Sequence, residues 1–326
     1  MSALDQFLSP GQVLGDFEII REIGRGAMGI VYEAKQVSLN RKVALKVMSV
    51  GLGITGKAVQ RFRRESEAAA KLHHTNIVPV YATGEVDGVL FYAMERIDGS
   101  SLDRVIRRLR LERERRLPAS AGAHPAAGDR AAESTQSGTP RGNQDRELTP
   151  EAAADLGSSS LGSGAGYFDA VARMIAEVAD GLEHSHQQGV IHRDIKPSNL
   201  LLSPSDRLSI NDFGLARVLE QPGMTMTGEF VGTPAYMSPE QITAGRIPVD
   251  HRTDIYSLGA TLYELLTLQR PFAGSRRDQV LAQIVQKDPT LPRRRDRHVP
   301  LDLETICLKA MEKDPDRRYQ TAAAMT

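Results

Sequence analysis

The sequence is poor in cysteine, in aromatic residues and in long apolar runs. It has one cysteine, Cys307, among 326 residues, no tryptophan, and 5% aromatic residues. A single cysteine cannot form an internal disulfide, which excludes a disulfide-stapled secreted scaffold. No apolar run approaches the roughly 18 residues of a membrane span, and residues 1–10 lack the basic and apolar regions of a signal peptide. We therefore expect a cytoplasmic protein with no membrane contact within this segment.

The chain also lacks a net charge: Lys+Arg and Asp+Glu each number 41, so the formal net charge is zero. A protein that binds polyanions in general normally carries a basic excess, so we predict no nucleic-acid partner. Three short basic runs remain: Arg107-Arg108, Arg276-Arg277 and Arg293-Arg294-Arg295. We interpret them as solvated faces, with docking of an acidic partner as the alternative. The proportions of 40% hydrophobic and 25% charged residues are those of a globular protein.

One long segment differs sharply in composition from the rest. Residues 118–166 are mostly Ala, Gly, Ser, Thr and Pro, and contain three leucines but no Ile, Val or aromatic residue. Such a segment cannot bury enough apolar area to offset the roughly 1–2 kcal/mol per residue that ordering costs. We predict a flexible low-complexity insertion at 118–166. The remaining chain divides into an N-terminal extension, 1–16, and a domain, 17–326.

The pattern of apolar residues changes from the first part of this domain to the second. Before the insertion, short runs rich in Val, Ile, Phe and Tyr predict strands, with one helix among them and a second helix after them. These elements are strands at 17–23, 30–36, 42–50, 77–83 and 89–95, and helices at 57–72 and 102–110. After the insertion, residues 168–188 and 253–268 predict helices from their 3.6-residue periodicity and their apolar content. The predicted class is α+β, with a small β-rich lobe, 17–97, and a larger, mainly helical lobe, 98–326.

A glycine-rich loop lies between the first two predicted strands. Gly24-Arg25-Gly26-Ala27-Met28-Gly29-Ile30-Val31 matches the pattern G-x-G-x-x-G-x-V. Dinucleotide-binding folds share the glycine triplet, but there the third glycine opens a helix, whereas here β-forming residues follow. We predict a hairpin whose backbone N–H groups close over phosphates. The alternative is a glycine-rich turn with no ligand.

A lysine and a glutamate are predicted to meet behind this loop. Lys46 ends the run Val43-Ala44-Leu45-Lys46, and Glu65 lies on the apolar face of the next predicted helix. An unpaired carboxylate at such a position would cost several kcal/mol. We therefore predict an ion pair between Lys46 and Glu65. The alternative is that Glu65 pairs with Arg61 or another surface charge.

Two later segments carry the residues that phosphoryl transfer requires. The first is His192-Arg193-Asp194-Ile195-Lys196-Pro197-Ser198-Asn199, and the second is Asp212-Phe213-Gly214. The reaction needs an in-line nucleophile, neutralisation of phosphate charge, and hard oxygen ligands for magnesium. Asp194 can accept the proton of a hydroxyl, and Lys196 can neutralise charge on the moving group. Asn199 and Asp212 can hold Mg²⁺.

Together these motifs resemble those of eukaryotic-type (Hanks-type) serine/threonine protein kinases, in particular the bacterial subgroup. The resemblance covers nearly all of 17–326 except the insertion, and also includes Gly232-Thr233-Pro234-Ala235-Tyr236-Met237-Ser238-Pro239-Glu240 and Asp314-Pro315-Asp316-Arg317-Arg318-Tyr319. It implies a bilobal protein-kinase-like fold and transfer of the ATP γ-phosphoryl group to protein Ser or Thr. One departure is Ser238, which stands where the family usually has alanine.

The resemblance also implies roles for individual residues. Nucleotide binding is implied for the glycine loop and for residues around the adenine: Val31, Ala44, the gatekeeper Met94, the hinge Glu95–Ile97, and Leu201. Lys46 and Glu65 would join Asp194 and Lys196 as catalytic residues. Asp254 would brace the catalytic loop, and Glu240 would pair with Arg318.

Regulation and partners follow from the same resemblance. Lys196 and Thr233 are typical of serine/threonine rather than tyrosine kinases. Arg193 precedes the catalytic aspartate, and Thr225 and Thr227 lie in the loop after Asp212, where a phosphate could pair with Arg193. We predict autophosphorylation at one or both threonines; ordinary loop threonines are the alternative. The predicted partners are ATP, Mg²⁺, protein substrates, and a second kinase domain for autophosphorylation in trans.

Two other functions are compatible with part of this pattern. A catalytically inactive scaffold of the same fold would not need Lys46, Glu65, Asp194, Asn199 and Asp212 together. A small-molecule phosphotransferase of related fold would be expected to lack the threonine-bearing loop and the Ser238-Pro239-Glu240 motif. Both features of the sequence favour the protein kinase.

Overall fold

A computed structural model describes residues 8–26, 29–48, 56–116, 161, 166–213, 234–243 and 248–326. The side chains of residues 56–59, 61, 65 and 116 lie outside this description. The chain forms the two predicted lobes, one built on a sheet and the other on helices. No helix among the described residues has the length and hydrophobicity needed to cross a membrane.

The first lobe is a six-stranded antiparallel sheet with the strand order β1-β2-β3-β4-β6-β5. Its strands are β1 Val13–Leu14, β2 Phe17–Gly26, β3 Gly29–Gln36, β4 Arg41–Met48, β5 Val80–Val86 and β6 Val89–Met94. Helix α1, Gly56–Ala69, precedes β5. The predicted helix at 57–72 therefore ends three residues earlier than expected.

The two faces of β4 explain how the sheet presents Lys46. Successive side chains of a strand point to opposite faces. Val43, Leu45 and Val47 belong to one buried cluster, with the β1–β3 side chains. Ala44 and Met48 belong to the other, which includes residues of α1 and β6. Lys46 shares the parity of Ala44 and Met48, so it lies on the face toward the second lobe and is almost fully buried.

The predicted strand at 77–83 begins three residues late, because the chain first pairs with the other lobe. Val78 N donates to Ile210 O (2.9 Å), and Ile210 N donates to Asn76 O (2.7 Å). Pro79, which follows, has no N–H for a sheet ladder. Strand β5 therefore starts at Val80.

The second lobe is mainly helical, and it also contains a small three-stranded sheet. Its helices are α2 Leu102–Arg116, α3 Tyr167–Gln187, α4 Pro239–Ile242, α5 Arg252–Thr267, α6 Arg277–Gln286, α7 Pro292–Arg295 and α8 Leu301–Ala310. Short 3₁₀ turns lie at Pro197–Asn199, Pro234–Tyr236, Pro315–Arg317 and Ala323–Met325. The sheet comprises β7 Ser100–Ser101, β8 Leu200–Leu202 and β9 Leu208–Ile210. The run from Leu200 to Ile210 is thus a hairpin, with Asp206 in the left-handed region (φ 59°) at its turn.

Helix α5 is the centre of the helical lobe. Residues 253–267 are all buried, as predicted from their apolar content. The helix packs against both α3 and α8. Helix α2 continues six residues beyond the predicted end, to Arg116.

Within the predicted insertion, the structure describes only Leu161 and Gly166. Leu161 is completely buried and belongs to the core cluster of the helical lobe. At this position the chain is therefore part of the packed fold, although the composition of 118–166 predicted a flexible segment. A single leucine among small residues gives no periodicity from which such burial could be predicted.

Candidate active site

The predicted catalytic loop, residues 192–199, is held in place by a buried carboxylate. Asp254, in the first turn of α5, accepts hydrogen bonds from the backbone N–H groups of His192 (2.8 Å) and Arg193 (2.6 Å). The Nε2 atom of His186 lies 2.8 Å from the same carboxylate. Arg193 has a φ of 65°, so these bonds stabilise a left-handed conformation that a non-glycine residue rarely adopts. The bracing role that the resemblance implied for Asp254 is confirmed.

A buried histidine joins the catalytic loop to the segment after β9. His192 is fully buried, and its Nε2 atom lies 2.8 Å from the backbone oxygen of Asn211. Its ring meets that of Phe213 edge-on, with centroids 4.8 Å apart. Asp194 follows His192 by two residues, and Asp212 lies between Asn211 and Phe213, so the two carboxylates are held near one another.

Three of the predicted catalytic and metal-binding residues form one hydrogen-bonded group. Lys196 Nζ lies 2.6 Å from Asp194 Oδ2. Asn199 Nδ2 donates to Asp194 Oδ2 (3.0 Å) and to its backbone oxygen (2.8 Å). Asp194 keeps part of its side chain in contact with solvent. A carboxylate that is positioned by two donors and still accessible can receive a proton from a bound hydroxyl.

Lys46 meets Asp212, 166 positions later in the chain. Its Nζ lies 2.7 Å from Asp212 Oδ2, and the Tyr92 hydroxyl donates a hydrogen bond to Asp212 Oδ1. The predicted partner, Glu65, is on α1, but its side chain lies outside the described residues. The Lys46–Glu65 ion pair therefore stays a prediction.

The two donors set the charge state of this carboxylate. Desolvation favours the neutral acid, but the Lys46 charge and the hydrogen bonds from Lys46 and Tyr92 outweigh it, so the pKa of Asp212 is lowered. Burial, together with the neighbouring Asp212 charge, raises the pKa of Tyr92 well above its ordinary value. Asp212 is therefore ionised and Tyr92 neutral at physiological pH.

The residues expected around an adenine ring come together between the lobes. Residues of both lobes share one apolar cluster: Val31, Ala44, Met94, Ile97 and Leu201. Ala44 and Met94 are cross-strand partners in the β4–β6 pair. Glu95 N donates to Pro79 O (2.9 Å), which anchors the start of the hinge Glu95–Ile97.

The glycine loop is described except for Ala27 and Met28, which lie outside the described residues. Gly24 and Gly26 end β2, and Gly29 begins β3, so the strand–loop–strand arrangement is confirmed. A Cβ at Gly29 would lie 2.1 Å from the backbone oxygen of Val47, so only glycine fits at this position.

The Ser238-Pro239-Glu240 motif is built into the support of the catalytic loop. Glu240 forms two 2.7 Å hydrogen bonds to the buried guanidinium of Arg318, so the implied pair is confirmed. Ser238 and Gln241 form a capping box on α4, and Ser238 Oγ lies 2.6 Å from Thr253 Oγ1. The Ser238 hydroxyl therefore joins the start of α4 to α5, a contact that an alanine could not make.

Two supporting residues had not been predicted. Gln241 Nε2 donates to the backbone oxygen of Arg193 (2.8 Å), and Tyr92 binds Asp212 as described above. The S-x-x-Q spacing of a capping box is a readable signal for Gln241. Tyr92 offers no such signal, because an aromatic residue in an apolar strand reads as core. Thr225, Thr227 and Thr233 lie outside the described residues.

A protein-family comparison decides the family. The model described as "Protein kinase domain" matches residues 17–121 and 163–326. The chain belongs to the protein kinase domain family. The stretch between the two matched parts, 122–162, lies within the predicted insertion. The family model therefore matches the chain on both sides of that insertion.

Individual relatives and a solved structure agree with this assignment. The kinase domain is 35% identical over 323 residues to serine/threonine-protein kinase PknB of Mycolicibacterium smegmatis, covering 97% of this chain and 43% of the relative. It is 34% identical over 322 residues to a probable serine/threonine-protein kinase of Streptomyces coelicolor, covering 97% and 40%. The chain thus spans less than half the length of these relatives.

The fold has a solved counterpart in the Mycobacterium tuberculosis PknI kinase domain. The TM-score is 0.64 at 24% identity, covering 98% of this chain and 96% of that one. This likeness shows the bilobal α+β kinase fold.

Proposed function

We propose that this kinase domain transfers the γ-phosphoryl group of ATP, with Mg²⁺, to serine or threonine hydroxyls of proteins. The contact between Lys46 Nζ and Asp212 Oδ2 carries the proposal, because it joins the sheet of one lobe to the metal-binding segment of the other. Beside that contact lies Asp194, hydrogen-bonded to Lys196 and Asn199. The names of the relatives support Ser/Thr specificity.

The apolar cluster between the lobes fits the adenine of ATP. In this proposal Val31 and Ala44 cover one face of the ring, and Leu201 lies beneath the other. Backbone groups of the hinge Glu95–Ile97 bind the ring edge beside the gatekeeper Met94. The glycine loop and Lys46 face the phosphates.

Asn199 and Asp212 fit a magnesium ion. They lie side by side because Asn211 N donates to the backbone oxygen of Asn199 (2.9 Å). Their side chains supply the oxygen ligands that Mg²⁺ prefers. The described residues contain no group of three or more His, Cys, Asp or Glu that could hold a metal. Mg²⁺ bound with a nucleotide needs only one or two protein ligands, since phosphate and water complete its octahedron.

The mechanism follows from the positions of Asp194 and Lys196. Bound Mg-ATP supplies the phosphoryl group and the cation that neutralises its oxygens. Asp194 Oδ atoms would accept the proton of the serine or threonine hydroxyl as its oxygen forms the new bond to the γ-phosphorus. The bond from that phosphorus to the β–γ bridging oxygen breaks, and ADP leaves with the electron pair. Lys196, 2.6 Å from Asp194, stabilises the negative charge of the phosphoryl group during transfer. Asp254 keeps the loop that carries Asp194 in place.

The first test is intact mass after incubation with Mg-ATP and a protein substrate such as casein. Wild type is expected to transfer phosphate, whereas Asp194→Asn is not. An inactive scaffold would show no transfer in either protein. A small-molecule phosphotransferase would consume ATP only with a small hydroxyl compound, and either result would refute the proposal.

Acceptor specificity has a separate test in phosphoamino-acid analysis. Products are expected to contain phosphoserine and phosphothreonine. The Thr233 and Lys196 side chains, which flank the acceptor in this proposal, leave room for a short aliphatic alcohol. Phosphotyrosine alone would contradict this specificity.

The proposal includes regulation by phosphate on the loop after Asp212. A phosphate on Thr225 or Thr227 adds a charge of about −1.5 to −2 and can pair with Arg193. Replacement of both threonines by alanine should lower activity and abolish phosphopeptides from this loop. Unchanged turnover would contradict the switch.

Autophosphorylation in trans between two kinase domains is testable by mixing. Wild type is mixed with Asp194→Asn of distinguishable mass, and the inactive protein is expected to gain phosphate. Phosphate on wild type alone, at all concentrations, would show that the reaction occurs within one chain.

A further inference from the structure

Two arginine-rich segments, far apart in the sequence, face each other in the helical lobe. Helix α2 carries seven arginines and three acidic residues, and residues 287–297 carry five basic and two acidic residues. An ion pair of 3.3 Å between Arg113 and Asp296 joins the two segments. The overall charge of the chain is zero, so this basic excess is local.

A cleft of about 930 Å³ opens between these segments. It lies at the upper end of the roughly 300–1,000 Å³ range of ligand pockets. Five basic residues line it, against two acidic ones, Glu114 and Asp288. The basic residues are Arg110, Arg113, Arg270, Lys287 and Arg295.

Some of this positive charge is neutralised and some is not. Glu264 pairs with Arg110 and lies 3.9 Å from Arg270, while Asp296 pairs with Arg113. Arg295 donates instead to the neutral amide of Gln269 (2.7 Å). No carboxylate among the described residues lies within 4 Å of the charged groups of Arg295 or Lys287. The adjoining Arg293, Arg294 and Arg297 are exposed and add to the positive rim.

The floor of the cleft favours a polypeptide over a nucleic acid. It is formed by apolar side chains of the α5–α6 connection, namely Leu268, Pro271, Phe272 and Ala273. Thr290 adds a hydroxyl group. An acidic peptide can place carboxylates on the basic rim and apolar side chains on this floor, whereas a phosphate backbone would contact only the rim.

The cleft is connected to the side on which a protein substrate is expected. Glu264, which binds Arg110 from the cleft, also accepts a hydrogen bond from the Tyr236 hydroxyl. Tyr236 belongs to the turn Pro234–Tyr236, directly before the Ser238-Pro239-Glu240 motif. One buried carboxylate therefore contacts both the cleft wall and the segment that borders the acceptor.

We propose that this cleft docks an acidic segment of protein substrates, separate from the residues around the acceptor hydroxyl. This inference rests on the proposed kinase function, but docking can be measured without catalysis. It predicts that substrates with a run of Asp or Glu bind more tightly than neutral ones, and that salt weakens the difference.

The binding test uses a fluorescein-labelled octaglutamate peptide and fluorescence anisotropy. Wild type is expected to bind it at least tenfold more tightly than labelled octaglutamine. Lys287→Glu with Arg295→Glu should remove this preference. The matched control, Lys35→Glu with Lys71→Glu, makes the same change of charge at two exposed positions of the other lobe and should retain it.

The kinetic test uses two peptides with the same acceptor, residues 221–231 of this chain, and a glycine linker to octaglutamate or octaglutamine. The cleft variant should raise KM about tenfold for the acidic peptide only, with kcat unchanged. The docking proposal would be overturned if wild type had equal KM values for the two peptides, or if both double variants lost affinity for the acidic peptide equally. Tighter binding of an eight-nucleotide single-stranded DNA than of octaglutamate would also overturn it. Octaglutamate binding without turnover of either peptide would contradict the kinase function and leave docking supported.

Discussion

Two carboxylates of the active site, Asp254 and Asp212, are held by different kinds of donor. Asp254 is fully buried and accepts two backbone N–H groups of the catalytic loop. Asp212 is partly accessible and is held by two side chains, Lys46 and Tyr92. Backbone donors within a packed loop cannot leave their acceptor without local unfolding, whereas a lysine or tyrosine side chain can change partner.

This difference matches what each carboxylate has to do. The catalytic loop must keep Asp194 in one position, since misplacement of a reacting group by about 1 Å costs about 10²-fold in rate. Asp212, by contrast, must exchange a protein donor for a cation during the proposed reaction. The region around Asp254, Glu240 and Arg318 thus acts as a fixed support for the catalytic loop, and the region around Asp212 as an exchangeable site.

The largest expected effect comes from removing the buried ion pair of the fixed support. Glu240→Gln leaves the Arg318 guanidinium, which is fully inaccessible, without a counter-charge. We expect the free energy of unfolding, measured with urea, to fall by about 3–5 kcal/mol. The control is Glu312→Gln, which removes a 3.8 Å contact with the exposed Arg317 and should cost less than about 1 kcal/mol. Similar losses in the two variants would contradict the comparison.

Asp254→Asn tests the same region through the catalytic loop. One carboxylate oxygen becomes an NH₂ group that faces a backbone donor, so at least one charge-assisted hydrogen bond worth about 1.5–3 kcal/mol is lost. If the catalytic position of the loop is destabilised by that free energy, kcat falls about 10- to 150-fold. Hydrogen exchange at the His192 and Arg193 amides should accelerate in parallel. A lower kcat with unchanged protection of these two amides would contradict the view that Asp254 acts by holding the catalytic loop in place.

Tyr92→Phe tests the exchangeable site and should have a smaller effect. The hydroxyl occupies Asp212 Oδ1, so a cation must compete with it. Its removal should lower the Mg²⁺ concentration needed for half-maximal ADP binding, measured by calorimetry, by up to about tenfold. Tyr167→Phe, which removes a hydrogen bond to Leu265 O (2.7 Å) far from Asp212, is the control. Weaker Mg²⁺ binding in Tyr92→Phe would show instead that the tyrosine positions Asp212 for the metal.

A buried cation without an oxygen partner lies outside both regions and should affect only how stability depends on pH. Lys313 Nζ has no hydrogen-bond partner among the described residues and lies 4.4 Å from the Phe272 ring centroid. Desolvation lowers the pKa of Lys313 to about 8, whereas the unfolded value is about 10.4. Between these values the unfolded chain binds more protons than the folded chain, so stability rises with pH.

Lys313→Met should therefore flatten the rise in urea midpoint between about pH 8 and pH 10. Subtracting the variant's curve from that of wild type cancels the contributions of the buried tyrosines. Identical pH dependence in the two proteins would contradict a lowered pKa for Lys313.

The elements with a strong local signal were predicted well. Residues 253–268 were apolar on nearly every side, and this part of the chain forms the enclosed helix α5. The glycine loop and the catalytic segment were predicted because each contains all of its chemically informative residues within eight positions. The start of β5 was predicted wrongly, since Ile77 and Val78 pair with Ile210, a residue of the other lobe.

The contacts that cross between elements could not be predicted in the same way. The ion pair predicted between Lys46 and Glu65 stays a prediction, because the Glu65 side chain lies outside the described residues, and the contact that is described for Lys46 is with Asp212. The sequence showed Ser238 only as a departure from the usual alanine, and its contact with Thr253, 15 positions later, was not predicted. The basic runs at 107–108 and 293–295 were interpreted as solvated faces, with docking of an acidic partner as the alternative, and Arg107, Arg293 and Arg294 are indeed exposed. That α2 and the 287–297 segment border one cleft was not predicted.

Residue types and short spacings were sufficient to identify the chemistry, because phosphoryl transfer needs a small set of groups in local motifs. They could not specify which donor holds each buried carboxylate. Hydrogen bonds and ion pairs depend on distances of about 3 Å between atoms that are up to 166 positions apart in the chain. Only the packing of the two lobes brings such atoms within range, and a change of partner leaves no trace in the local pattern.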